Sequence, residues 1–156
     1  MAANTAPIYP LTPATFFADL TAVTACTTRA PTATASLAAA NIVILVPAGA
    51  AQSPASTAGT RIDKITVEGA SSSITAPTGA QSVQIWWWDG TKAYQYDEIA
   101  VTAITPAVNG TTLTYQGSKS YTNLVLPVGH ALYASTTVTT TANTTAMVVI
   151  ANGGTY

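Results

Sequence analysis

From Phe16 onwards, apolar positions fall in short runs, many of them alternating with polar ones, and turn residues separate the runs. They cover residues 16–25, 41–46, 60–69, 81–88, 91–103, 111–115, 121–126, 130–138 and 144–151. Their β-branched and aromatic content and their two-residue period predict strands, because successive strand side chains point to opposite faces. In 81–88 that period sets Val83, Ile85 and Trp87 against a core and turns Gln84, Trp86 and Trp88 the other way. One run breaks the rule. In 61–68, Ile62 falls on the opposite face from Ile65 and Val67, and the extra residue of a β-bulge restores the alternation.

Three turns punctuate the pattern. Asp89-Gly90 predicts a two-residue hairpin with positive φ at both central positions. Leu126-Pro127-Val128-Gly129 and Asn109-Gly110 read as two more. Residues 47–59 are loop, dominated by Pro, Gly and Ser, and 29–40 is either loop or a short Ala-rich helical turn. The start differs from everything after it. Pro7, Pro10 and Pro13 each lack a backbone donor and push the preceding residue towards extended geometry, so 1–14 reads as an extended arm. Ile8, Tyr9 and Leu11 give that arm something to pack with. The whole pattern predicts an all-β fold: a single β-sandwich or jelly-roll-like domain of about eight antiparallel strands over 15–156, behind the arm.

Composition narrows the function. Charged residues make up 7% of the 156, where an average soluble domain has about 25%. Ala and Thr supply about a third of the chain, and five Lys and Arg against six Asp and Glu leave a net charge of -1. Clustered cations that would neutralise phosphates are missing, which argues against a nucleic-acid partner. The longest aliphatic run, 42–46, falls far short of the ~20 apolar residues of a membrane span. The opening residues show neither a basic n-region nor an apolar h-region, so the expected origin is a cytosol. Cys26 is the one cysteine; it excludes an internal disulfide framework and a Cys-based zinc cluster and reads as a small buried apolar residue. A surface this poor in charge repels neighbours weakly, which points to a surface covered by other copies or by a partner.

Catalysis finds little to work with. His130, the one histidine, would have to serve any Ser–His–Asp arrangement, yet it follows Gly129 at the start of a predicted strand. Asp97 and Glu98 are adjacent carboxylates, and neighbours on a strand point to opposite faces. With no phosphate-binding glycine loop and no spaced His, Asp and Glu set, no catalytic, cofactor or metal residue is assigned. Trp86-Trp87-Trp88 is the feature with functional pull. An outward Trp86 and Trp88, enlarged by Tyr94 and Tyr96 from the next strand, would form an aromatic patch. Such rings serve as a carbohydrate platform or as a subunit or partner interface, or else another part of the molecule covers them.

Several stretches carry a resemblance: Ala2-Ala3-Asn4-Thr5-Ala6-Pro7-Ile8-Tyr9-Pro10, Arg61-Ile62-Asp63-Lys64-Ile65 and Ile85-Trp86-Trp87-Trp88-Asp89-Gly90. Tyr96-Asp97-Glu98-Ile99 with Val101, Leu124-Val125-Leu126-Pro127-Val128-Gly129 with Leu132, and the closing Ala151-Asn152-Gly153-Gly154-Thr155-Tyr156 extend it over nearly the whole chain. Through them the sequence resembles small virion structural proteins of tailed double-stranded DNA bacteriophages. The resemblance implies a capsid decoration, or cement, protein that binds the outer surface of the head and bridges major capsid protein subunits. It further implies a homotrimer made in the host bacterial cytoplasm, working without cofactor or enzymatic activity. The arm residues Ile8, Tyr9 and Leu11, with Trp86, Trp88, Tyr94 and Tyr96, are the expected contact residues. The aromatic patch leaves one alternative open, a carbohydrate-binding module of a virion fibre.

Overall fold

The computed structural model describes residues 12–29, 32–33, 41–52, 57–108 and 110–156. Eight full strands lie in these residues: β1 Thr12–Leu20, β3 Val43–Val46, β4 Thr60–Gly69, β5 Gln81–Trp88, β6 Lys92–Val101, β7 Gln116–Leu126, β8 Ala131–Thr136 and β9 Met147–Thr155. A two-residue strand, β2 Thr32–Ala33, sits on the edge of β6, and a short 3-10 turn covers Gly49–Ala51. No helix among the described residues is long and apolar enough to cross a membrane. One sheet has the order β1-β9-β4-β7 and the other β2-β6-β5-β8-β3, with every neighbouring pair antiparallel. The expected all-β sandwich of about eight antiparallel strands is the fold found.

The pairs nest. β5 pairs with β6, β4 with β7, β3 with β8 and β1 with β9. The chain is thus one long hairpin wrapped so that its halves face each other, and the β4–β9 and β5–β8 ladders seal the wrap. Inward residues of both sheets meet in one core, among them Phe16, Leu20, Ile62, Val83, Leu124 and Met147. All strands end at one of two poles. The arm pole holds Thr12, Thr60, Trp88, Leu126, Ala131 and Thr155; the loop pole holds Leu20, Gly69, Gln81, Val101, Thr136 and Met147.

Local chemistry explains where expectation and structure agree. β4 carries the anticipated bulge: its register shifts between Ile62 and Lys64 against both neighbours, and Ile62, Ile65 and Val67 are all buried. β1 begins at Thr12, inside the expected arm. It tolerates Pro13 because only β9 pairs with it, so one side of the strand needs no ladder donors. β7 begins at Gln116 because pairing with Glu68 and Thr66 recruits a polar stretch that the periodicity leaves out. The expected strand at 111–115 is loop, tied back at several points: the Tyr115 hydroxyl donates to the Ala100 carbonyl at 2.5 Å, the Thr112 carbonyl accepts the Ala107 N–H at 3.0 Å, and the Thr114 and Thr78 hydroxyls bond at 3.3 Å.

The hairpin at Asp89-Gly90 is displaced by one residue. Gly90, at φ +101°, and Thr91 are the central pair, the order of a type II′ turn, and Asp89 keeps a negative φ. The carboxylate of Asp89 explains the shift: it accepts the backbone N–H groups of Thr91 and Lys92, each at 2.8 Å. Leu126–Gly129 turns as expected, with Gly129 at φ +87° and the His130 N–H donating to the Pro127 carbonyl at 3.1 Å. Gly110 takes φ +72°, while Asn109 lies outside the described residues.

Candidate functional site

β1 stops at Leu20 because Asp19 turns the chain. Its carboxylate accepts the Thr21 N–H at 2.8 Å and also the Thr21 hydroxyl. The run 16–25 is therefore half strand and half something else. Residues 23–29 cross the outer face of the second sheet as a strap. The Cys26 N–H donates to the Thr136 carbonyl at 2.8 Å, and Val23 exchanges hydrogen bonds with Thr140 at 2.8 and 2.9 Å. Farther along, Gln84 Nε2 donates to the Thr28 carbonyl at 3.2 Å, and Arg29 grips Glu98 through both oxygens at 3.0 Å. Burial raises the Glu98 pKa, but the hydrogen bonds and charge of Arg29 outweigh it and leave the carboxyl below its ordinary range.

This strap removes Trp86 from the expected contact residues. The ring does point away from the main core, but its exposure is 0%, because Cys26, Ile42, Ala93 and Tyr133 enclose it in a second small cluster. A closed polar chain satisfies the indole: Trp86 Nε1 donates to Ser135 Oγ, which donates to Gln84 Oε1, both at 2.8 Å. A covered ring offers neither a glycan platform nor a contact for another subunit. Trp88, half-buried, stands edge-on to Tyr133 with ring centres 6.4 Å apart. Cys26 is buried, as expected.

Tyr94 and Tyr96 are 39% and 45% exposed. Tyr96 is the extra residue of a bulge in β6, since Ile85 pairs with Asp97 and Trp86 with Gln95. The bulge swings Tyr96 into a row of rings that closes the gap between the sheets: Tyr121, Tyr96 and Trp87 at 6.0 and 5.9 Å, then His130 at 5.6 Å from Trp87. Trp87 Nε1 donates to His130 Nδ1 at 2.8 Å, so the imidazole is engaged by an indole. Asp97 faces the same gap, accepting from Lys119 Nζ at 2.6 Å and the Tyr121 hydroxyl at 2.7 Å. Burial raises its pKa, but these donors win and hold the carboxyl low. Burial, followed by the nearby Asp97 carboxylate, pushes the Tyr121 phenol up. Asp97 and Glu98 thus serve opposite faces, one across the sandwich and one under the strap. Among the described residues no group of three His, Cys, Asp or Glu gathers to hold a metal.

No protein-family model, curated protein or solved structure matches the chain. Its surfaces therefore carry the functional reading. Ile8, Tyr9 and Leu11 lie outside the described residues, but their attachment point is fixed: Thr12 opens β1 at the arm pole, beside Thr155. At the other pole, Ile74, Val108 and Leu113 stand out, each 74% exposed. Periodicity passes over Ile74 and Val108, which sit in turn-like sequence, and puts Leu113 in a strand that does not form. The signal that marks them is different: loops 70–80, 102–115 and 137–146 contain no charged residue. These three loops thus present an uncharged surface at the loop pole.

Proposed function

We propose that this chain is a non-enzymatic structural module of a phage head, a decoration or cement protein. It binds the outer capsid surface as a trimer and bridges neighbouring major capsid protein subunits. The observation that carries this reading is the position of parts of four of the stretches on which the resemblance rests, although a fifth ends at Val101 on the loop pole. Arg61-Ile62, Trp88-Asp89-Gly90, Leu124–Gly129 and Asn152–Tyr156 all gather at the arm pole, where the arm also departs. The nested strand pairing supports reading the sandwich as a jelly roll, an architecture used in viral capsids and in lectins. A cement protein works by making lattice rupture break its own interfaces as well. About 800 Å² per partner suffices for a specific contact, and several linked contacts strengthen attachment by about 10²–10⁴.

Purified protein added to heads that lack it should bind saturably and raise the temperature at which they rupture. Absence of binding overturns the proposal. A chain without residues 1–11 keeps every described strand and should lose occupancy; normal occupancy would remove the arm from the mechanism. The glycan-binding reading loses Trp86 to the strap and rests on the exposed Tyr94 and Tyr96. Saturable glycan binding that disappears in Tyr96→Ala would favour it.

A further inference from the structure

A cavity of about 370 Å³ opens at the loop pole between the β4–β5 and β6–β7 loops. Its lining is small and uncharged, from Gly69, Ser71 and Ala76 to Pro106 and Thr114, and Ile74, Val108 and Leu113 complete it. Ser71 Oγ is buried there without a hydrogen-bond partner. Three prominent apolar side chains around an uncharged hollow call for an apolar occupant, because any charge entering it would be desolvated without compensation. The chain itself contains such a segment. Residues 1–18 hold no charged side chain, and Ile8, Tyr9 and Leu11 provide apolar bulk between prolines that limit the entropy lost on binding.

We infer that this cavity receives the N-terminal arm of a second copy, Ile8, Tyr9 and Leu11 seating against Ile74, Val108 and Leu113. The inference rests on reading the chain as a self-assembling module. Reach excludes the apolar part of the same copy's arm. Ile8 lies four residues before Thr12, so it extends at most about 14 Å from the arm pole. The cavity lies beyond Gly69, nine residue steps along β4 from Thr60 and about 30 Å away. The apolar part of the arm therefore meets a loop pole only when another molecule brings one alongside. Such contacts are heterologous, arm pole to loop pole, and three copies placed head to tail close them into a ring. The unpartnered Ser71 hydroxyl is available to a backbone group of the incoming arm.

Two measurements on the full chain decide the matter, and neither needs a capsid. By light scattering the wild type should run as a closed oligomer, while Leu113→Asp and Ile74→Asp, both at exposed positions, should each weaken association by about 100-fold. Ser118→Asp, on exposed β7, should leave the mass unchanged. A monomeric wild type, or oligomers indifferent to both loop-pole variants, overturns the inference. Second, Ile8→Cys chains mixed with Val108→Cys chains should oxidise mainly to the mixed 8–108 disulfide, identified by mass. Products limited to 8–8 and 108–108 links overturn it. Failure of capsid binding with the oligomer intact would sink the cement reading and leave this one standing.

Discussion

Gly153 shows how tightly single residues are specified. It pairs with Ala14 on one side and with Ile62 on the other, next to the bulge in β4. A Cβ added there would lie 1.8 Å from the Arg61 carbonyl oxygen, so two backbones approach each other across a space without room for a methyl group. Gly153→Ala should cost about 1–3 kcal/mol, as overpacking does, and lower the thermal midpoint by roughly 2–12 °C. An unchanged midpoint would contradict so close an approach. Asp89 is specified by charge instead. The N–H groups of Lys92 and Thr91 hold its pKa at about 2, from an ordinary 3.8. Because the folded value is the lower one, the stabilisation is complete above pH 3.8 and disappears as pH falls towards 2. In urea titrations, the gap between wild type and Asp89→Ala should be widest above pH 3.8 and close towards pH 2; a gap that widened on acidification would reverse the sign.

At the scale of elements, the strap separates what the sequence pattern reveals from what it hides. Periodicity identifies β4 and β5 to the residue, and even the bulge, since Ile62 against Ile65 and Val67 admits few other solutions. It assigns Trp86 to the outer face correctly, but it cannot tell that residues 23–29 return to cover that face. The cover depends on contacts between residues far apart in the chain, such as Cys26 with Thr136. The same limit applies to 111–115, whose composition suits a strand that finds no partner, and to β7, whose polar start becomes strand because β4 offers a ladder. The Arg29–Glu98 clamp on the strap is partly solvated, 66% and 26% exposed at the side chains, so it contributes about 0.2–1 kcal/mol to closure. Beneath the strap, buried Cys26 reports on opening. Arg29→Ala should speed reaction of Cys26 with a thiol reagent by about 1.4- to 5-fold while barely moving global stability. Equal labelling rates would mean that the clamp does not hold the strap down.

Over the whole molecule, scarcity of charge sets how the proposed assembly would respond to salt. The described residues spend much of the little charge they have internally: Arg29 on Glu98, Arg61 on Asp63 and Lys119 on Asp97, at 3.0, 2.8 and 2.6 Å. Loops 70–80, 102–115 and 137–146 have none to spend, and neither have residues 1–18. An interface between that arm and that pole gains from apolar burial and shape, not from attraction between opposite charges. The two sources differ in how they respond to salt. Raising ionic strength from about 0.1 to about 1 M shortens the screening length from about 10 Å to about 3 Å and erodes exposed ion pairs, whereas it leaves apolar contacts in place. Sulfate strengthens apolar contacts further, because it is excluded from protein surface. The oligomer's mass should therefore hold across that range of sodium chloride and gain resistance to dilution in sulfate. Dissociation by sodium chloride alone would transfer the contact to charged strand residues such as Lys64 and Lys92, and away from the loop pole.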